Sequence, residues 1–101
     1  MRLIQLEFDE KNLGKIAIDA DKIGSYIREE DDHMYRLTVL VAGGLWLSWG
    51  YTTRAGRDDA FNAFIGTDNT LLQSCLNKCT ERRFGFGFTA TDFNNFRGVT
   101  V

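Results

Sequence analysis

With 101 residues, of which 44% are hydrophobic and 26% charged, the chain has the make-up of one globular domain with its own core, and disorder is excluded. A formal net charge of −2 argues against a generic electrostatic grip on nucleic acid or on an anionic membrane. Two cysteines are too few for a disulfide framework and no run nears the roughly 20 apolar residues of a membrane span, so the chain reads as a cytoplasmic protein that needs no cofactor.

Met1 to Asp9 puts Ile4, Leu6 and Phe8 on one side and Gln5 and Glu7 on the other, the alternation of a strand with one buried face. Lys11 to Gly14 supplies a turn, and Lys15 to Ala20 resumes the alternation through Ile16 and Ile18. Asp21 introduces a bend, after which Ile23, Ser25 and Ile27 continue an extended stretch, and the polar run Glu29 to His33 reads as a loop.

The clearest element follows. Tyr35, Leu37, Val39 and Val41 alternate with Met34, Arg36, Thr38 and Leu40; beyond Ala42-Gly43-Gly44, Leu45, Leu47, Trp49 and Tyr51 alternate with Trp46, Ser48, Gly50 and Thr52. A two-residue turn pairs Val41 with Trp46 and mixes polar and apolar residues on both faces. A three-residue loop pairs Val41 with Leu45, Val39 with Leu47, Leu37 with Trp49 and Tyr35 with Tyr51, giving one wholly apolar face. The three-residue loop is therefore preferred, with a glycine in the left-handed region. It turns Trp46, opposite Leu40, to the outer face with Arg36 further along.

After Thr53 the period changes. Arg57 to Ile65 carries Ala60, Phe61, Phe64 and Ile65 at helical spacing, with Asp58 and Asp59 suited to a helix N-terminus. Thr67, Asp68 or Asn69 can cap a second helix running to about Arg83, with Leu71, Leu72, Cys75, Leu76 and Cys79 on one face and Arg82 and Arg83 at its C-terminal end. Phe84, Phe86 and Phe88 alternate with glycines as a strand, and the tail offers Asp92 as a cap and a short strand at Val99 to Val101. The fold class implied is α+β over residues 1–101 as one domain. It is an antiparallel sheet of four or five strands with two helices on one face, in the order β-β-β-β-α-α-β.

Three patterns bear on function. Asp19, Asp21, Gly24 and Glu30 fall at positions 1, 3, 6 and 12 of a calcium-binding loop, but Ile23 occupies a ligand position and the flanks alternate as strands where helices are required. Cys75 and Cys79, one helical turn apart, make half a zinc site at most, with His33 the single histidine to add, so no metal is expected. Gly85-Phe86-Gly87-Phe88 resembles the glycine–aromatic heart of the RNP1 strand of the RRM family, with Leu45-Trp46-Leu47 loosely similar to the companion strand. Phe84 stands where that family has a basic residue. The resemblance implies nucleic-acid binding through Arg82, Arg83 and Phe86, the aromatic ring stacking on a base.

No arrangement of Ser, Cys or His suited to nucleophilic catalysis is present, and the Asp31-Asp32 and Asp58-Asp59 pairs have adequate readings as solvated loop and helix start. No enzyme is expected. Acidity is concentrated early: residues 1–33 hold nine acids against five bases, residues 34–101 seven bases against five acids. The leading functional expectation is non-enzymatic binding of another protein. The contact would use Trp46, Leu40 and Arg36 on the outer face together with the acidic Glu29, Glu30, Asp31 and Asp32. Size and composition are those of small steric inhibitors of the anti-defence (anti-CRISPR-like) or immunity-protein type. The alternative to an open outer face is that the C-terminal segment folds over it. An exposed strand edge also permits a homodimer, and no membrane partner is expected.

Overall fold

The computed structural model describes residues 2–7, 15–31 and 33–87. A two-stranded antiparallel hairpin, β1 (Leu3–Glu7) and β2 (Lys15–Asp19), precedes a single 3-10 turn at Ala20–Lys22. A four-stranded antiparallel sheet follows, in spatial order β3-β4-β5-β6: β3 (Ile23–Glu30), β4 (Tyr35–Val41), β5 (Leu45–Tyr51) and β6 (Glu81–Phe86). Two helices, α1 (Arg54–Ile65) and α2 (Asn69–Asn77), intervene between β5 and β6. The α+β architecture read from the sequence is the one observed, with five strands rather than four ahead of the helices.

Hydrophobic alternation sets the central hairpin. Val41 faces Leu45, Val39 faces Leu47, Leu37 faces Trp49 and Tyr35 faces Tyr51, as the three-residue loop requires. Gly43 and Gly44 have φ of 100° and 93°, the left-handed region in which a side chain is strained. This register turns Leu37, Val39, Leu47 and Trp49 toward the helices, where they form the core with Ala60, Phe64, Leu72 and Leu76. The Trp49 and Phe64 ring centroids lie 5.5 Å apart, and Tyr26 of β3 meets Phe61 and Phe64 edge-on at 5.8 and 5.7 Å. The Tyr51 hydroxyl donates to the Cys75 carbonyl at 2.7 Å, tying β5 to α2.

Local chemistry places the helix ends, and here three expectations need correcting. α1 begins at Arg54, a turn earlier than the apolar spacing indicates, because the Thr53 side chain accepts the Gly56 N–H and caps it. Asp58 and Asp59 thus sit beyond the first turn and do not serve its N-terminus. Asp68 caps α2 by accepting the Leu71 N–H at 3.0 Å, but that helix closes at Asn77. Arg82 and Arg83 accordingly belong to strand β6, not to a helix end. β3 also continues through Glu29 and Glu30, which the polar run had placed in a loop.

The β1–β2 hairpin docks at the far ends of the helices. Ile4, Ile18 and Ala20 join the core. The Arg2 guanidinium donates to the carbonyls of Phe64 and Ala63 at 2.5 and 2.9 Å and to Asn69 Oδ1 at 2.5 Å. It thereby satisfies carbonyls that the end of α1 leaves without intrahelical partners, at the negative pole of that helix. The expected turn at 11–14, the third phenylalanine Phe88, the Asp92 cap and the 99–101 strand lie outside the described residues.

Candidate functional site

The face of the sheet turned away from the helices carries Ser25, Ile27 and Glu29 from β3 and Leu40, Thr38 and Arg36 from β4. Trp46, Ser48 and Gly50 of β5 and Gly85, Arg83 and Glu81 of β6 complete it. Trp46 is at one end of this face. Its register partner on β6 is Gly85, and a methyl group there would come within 2.5 Å of indole Cε2 and Nε1. The indole therefore lies flat on the sheet in the space the glycine leaves, and it is half-buried there.

The middle of the face is closed. Leu40 is 4% exposed, Thr38 0% and Ser48 1%, with the two hydroxyls hydrogen-bonded to each other at 3.1 Å. Leu40 is thus not part of an open apolar patch, and of the expected patch Trp46 retains accessible surface. The C-terminal segment invoked as the alternative cover, residues 88–101, lies outside the described residues.

The other end of the face, about 13 Å from Trp46 at roughly 3.3 Å per residue, is ionic. Arg36 donates to both carboxylate oxygens of Glu81, at 2.9 and 3.4 Å, and to Asp31 at 3.3 Å. Arg83 reaches Glu81 at 3.2 Å. The bonds from Arg36 hold the Glu81 carboxyl below its ordinary range. Asp31 is lowered too, chiefly by the backbone N–H of His33, which it accepts at 2.9 Å. Glu29 shares the face but moves the other way: burial raises its carboxyl, and the charges of Arg36 and Arg83 only partly offset that.

Five expected contact residues, Trp46, Leu40, Arg36, Glu29 and Asp31, therefore do share one face, Leu40 being buried within it. Glu30 does not. It points to the helix side, where Arg54 and Arg57 reach its carboxylate at 3.2 and 3.5 Å. Asp32 lies outside the described residues. Glu81, the hub of the ionic end, was not singled out from the sequence, because its register opposite Gly50 depends on where α2 stops.

Strand β6 also divides the set drawn from the RNP1 resemblance. Arg82, Phe84 and Phe86 face the helix side and Arg83 the other. Arg82 Nε donates to Cys79 Sγ at 3.0 Å, and Phe84 packs against the core. Phe86 is 73% exposed with its ring edge-on to Phe84 at 5.9 Å.

Metal-ligand patterns resolve into structural roles. Asp19 Oδ1 accepts the N–H groups of Arg2 and Asp21, each at 3.0 Å, and so caps the 3-10 turn between two strands. Cys75 is buried in the core, which pushes its thiol up. Among the described residues no three His, Cys, Asp or Glu side chains gather as a metal site would require, and no helix is long and apolar enough to cross a membrane. No family model, no curated protein and no solved structure matches the chain.

Proposed function

We propose that the chain is a non-enzymatic protein-binding domain that blocks a partner sterically through the outer face of its sheet, as small anti-defence (anti-CRISPR-like) or immunity-type inhibitors do. The observation that carries this reading is the seating of Trp46. An indole already laid flat on Gly85 loses little freedom on meeting a partner, which is the property of a good anchor residue. The Glu29–Asp31–Arg36–Glu81–Arg83 end of the same face supplies a mixed-charge rim that fixes register rather than strength. Of the acid pairs weighed for acid–base chemistry, Asp58 is engaged by Arg57 at 2.8 Å and by Arg28 at 3.7 Å, and Asp31 by Arg36 at 3.3 Å.

The test uses two variants. Trp46→Ala removes the anchor, and Gly85→Ala forces the indole off the sheet while leaving it in the chain. A partner captured from the native host and identified by mass spectrometry should be lost from both variants, with each still melting cooperatively. A partner that binds both variants as tightly as the parent ends the proposal.

A second reading, nucleic-acid binding, is favoured by one observation, the exposed ring of Phe86 on the same face of β6 as Arg82. It expects a single-stranded oligonucleotide to bind at low salt, with Phe86→Ala weakening it about tenfold, the worth of one stacked base. No retention of the oligonucleotide at low salt removes it.

A further inference from the structure

β3 is an end strand of the four-stranded sheet, paired with β4 and with no other described strand. The Asp31 N–H donates to the Met34 carbonyl at 3.0 Å, one step beyond the Glu30–Tyr35 pair. Antiparallel alternation therefore turns the N–H and C=O groups of Ile27 and Glu29 toward β4 and those of Tyr26, Arg28 and Glu30 away from it. Among the described residues these outward groups meet no hydrogen-bond partner. Glu30 is exposed, and Tyr26 and Arg28 are half-buried. This edge is open.

Two side chains of the same strand are also incompletely satisfied. Arg28 lies with its guanidinium over the Phe61 ring, 4.4 Å from the centroid, and its ion pair to Asp58 is long at 3.7 Å. Its Nε is buried with no hydrogen-bond partner. Tyr26, two residues away and so on the same side of β3, has its ring edge-on to Phe61 and Phe64, and among the described residues its hydroxyl makes no hydrogen bond. A guanidinium can only donate, whereas a phenol presents an accepting oxygen and a π face. A strand edge carrying both, two residues apart, is complementary to a second copy of itself run antiparallel.

We infer that the chain self-associates as a two-fold dimer through β3, in a register centred on Ile27. The ladder to β4 shifts between Ile23 and Ser25 and runs regularly from Ser25 to Glu30. A two-fold axis normal to the sheet pairs residues of the same face, and within that regular stretch centring on Ile27 or on Arg28 uses the most residues. Centring on Arg28 sets it against its own copy, like charges directly opposite. Centring on Ile27 sets Arg28 against Tyr26 of the second copy and Ser25 against its Glu29, with no like charges opposed. The outward main-chain groups of Tyr26 and Arg28 then bond to those of Arg28 and Tyr26 across the axis. The charges of Arg28, Glu29 and Glu30 guard this edge against strands that do not match them, which favours the second copy over a foreign segment. The product is one continuous sheet in which both Trp46 faces look the same way, on β5 strands about 24 Å apart at roughly 4.8 Å per strand.

The test uses the full chain alone, with no partner present, so its failure is distinct from failure of the Trp46 proposal. Sedimentation equilibrium is run over a concentration series, and amide exchange is followed by NMR at its dilute and concentrated ends. The expected result is a reversible dimer in which the Tyr26 and Arg28 amides slow on association. Those of Ile27 and Glu29, bonded to β4 in either state, should not change. Ser25→Glu sets a carboxylate opposite Glu29 of the second copy, twice per dimer, and should weaken association about fivefold. Ser25→Lys sets an ammonium there and should tighten it. A monomer at every concentration overturns the inference. So does a dimer whose slowed amides lie in β6 or the helices, or a pair of Ser25 variants that shift association in the same direction.

Discussion

Glu29 and Glu81 sit on the same sheet face and titrate in opposite senses. Glu81 is lowered by the two bonds from Arg36, so its contribution is present above the ordinary carboxyl range and is lost as pH falls through its folded value. Glu29 is raised by burial. Its ionised form is disfavoured by folding, and the penalty fades as acid protonates it. Glu81→Gln should therefore lower the melting temperature at pH 7, and Glu29→Gln should raise it. Both differences should close as pH is taken below 4 or so, toward and past the carboxyl range. Thermal melts of the two variants across pH 3–7 check this, and variants that shift in the same direction would contradict the assigned environments.

At the scale of the element, the β4–β5 hairpin was legible residue by residue because only one loop length gives a clean apolar face, and slipping by one residue turns every side chain over. Its loop makes a sharp prediction. A side chain at Gly43 would meet no atom within 4 Å, so the cost of Gly43→Ala is the cost of its φ of 100° alone. A loss of about 1–2 kcal/mol in urea unfolding is expected, with m unchanged. The elements that sequence misplaced are those decided from a distance. No glycine or proline falls between Asn77 and Arg83 to stop the helix, and arginines suit a helix end, so Arg82 and Arg83 were read as helical. They are strand because β5 offers an edge: Trp49 pairs with Arg82 and Ser48 with Arg83. Glu29 and Glu30 looked like loop because their strand neighbour Arg36 and the helix arginines Arg54 and Arg57 come from other segments. Of the candidate site, the outward direction of Trp46 followed from alternation. The burial of Leu40, and the hub role of Glu81, followed from tertiary placement that no local pattern encodes.

Taken whole, the molecule is a helix layer on a sheet with a separate two-stranded hairpin closing one end. Its two tryptophans are on opposite sides of the sheet, Trp49 against Phe64 and Trp46 against Gly85. The hairpin owes part of its seating to Arg2. Arg2→Met keeps the aliphatic stem and removes the guanidinium. It should cost about 1–2 kcal/mol, the worth of charge-assisted bonds discounted for partial exposure. Amide hydrogen exchange in β1 and β2 should quicken more than in β4 and β5, and uniform quickening across the sheet would show that the hairpin is not a separately anchored unit.

The Arg2 bonds also constrain the order of events during synthesis. The acceptors lie 61, 62 and 67 residues further along the chain. Arg2 and β1 leave the ribosome before the helix carbonyls that Arg2 binds, which follow more than 60 residues later in the chain. Docking of the hairpin must wait for the end of α1 and the start of α2, and a nascent chain stalled before Ala63 has no native acceptor for the Arg2 guanidinium. Such contacts of large sequence separation slow the final closure of the fold.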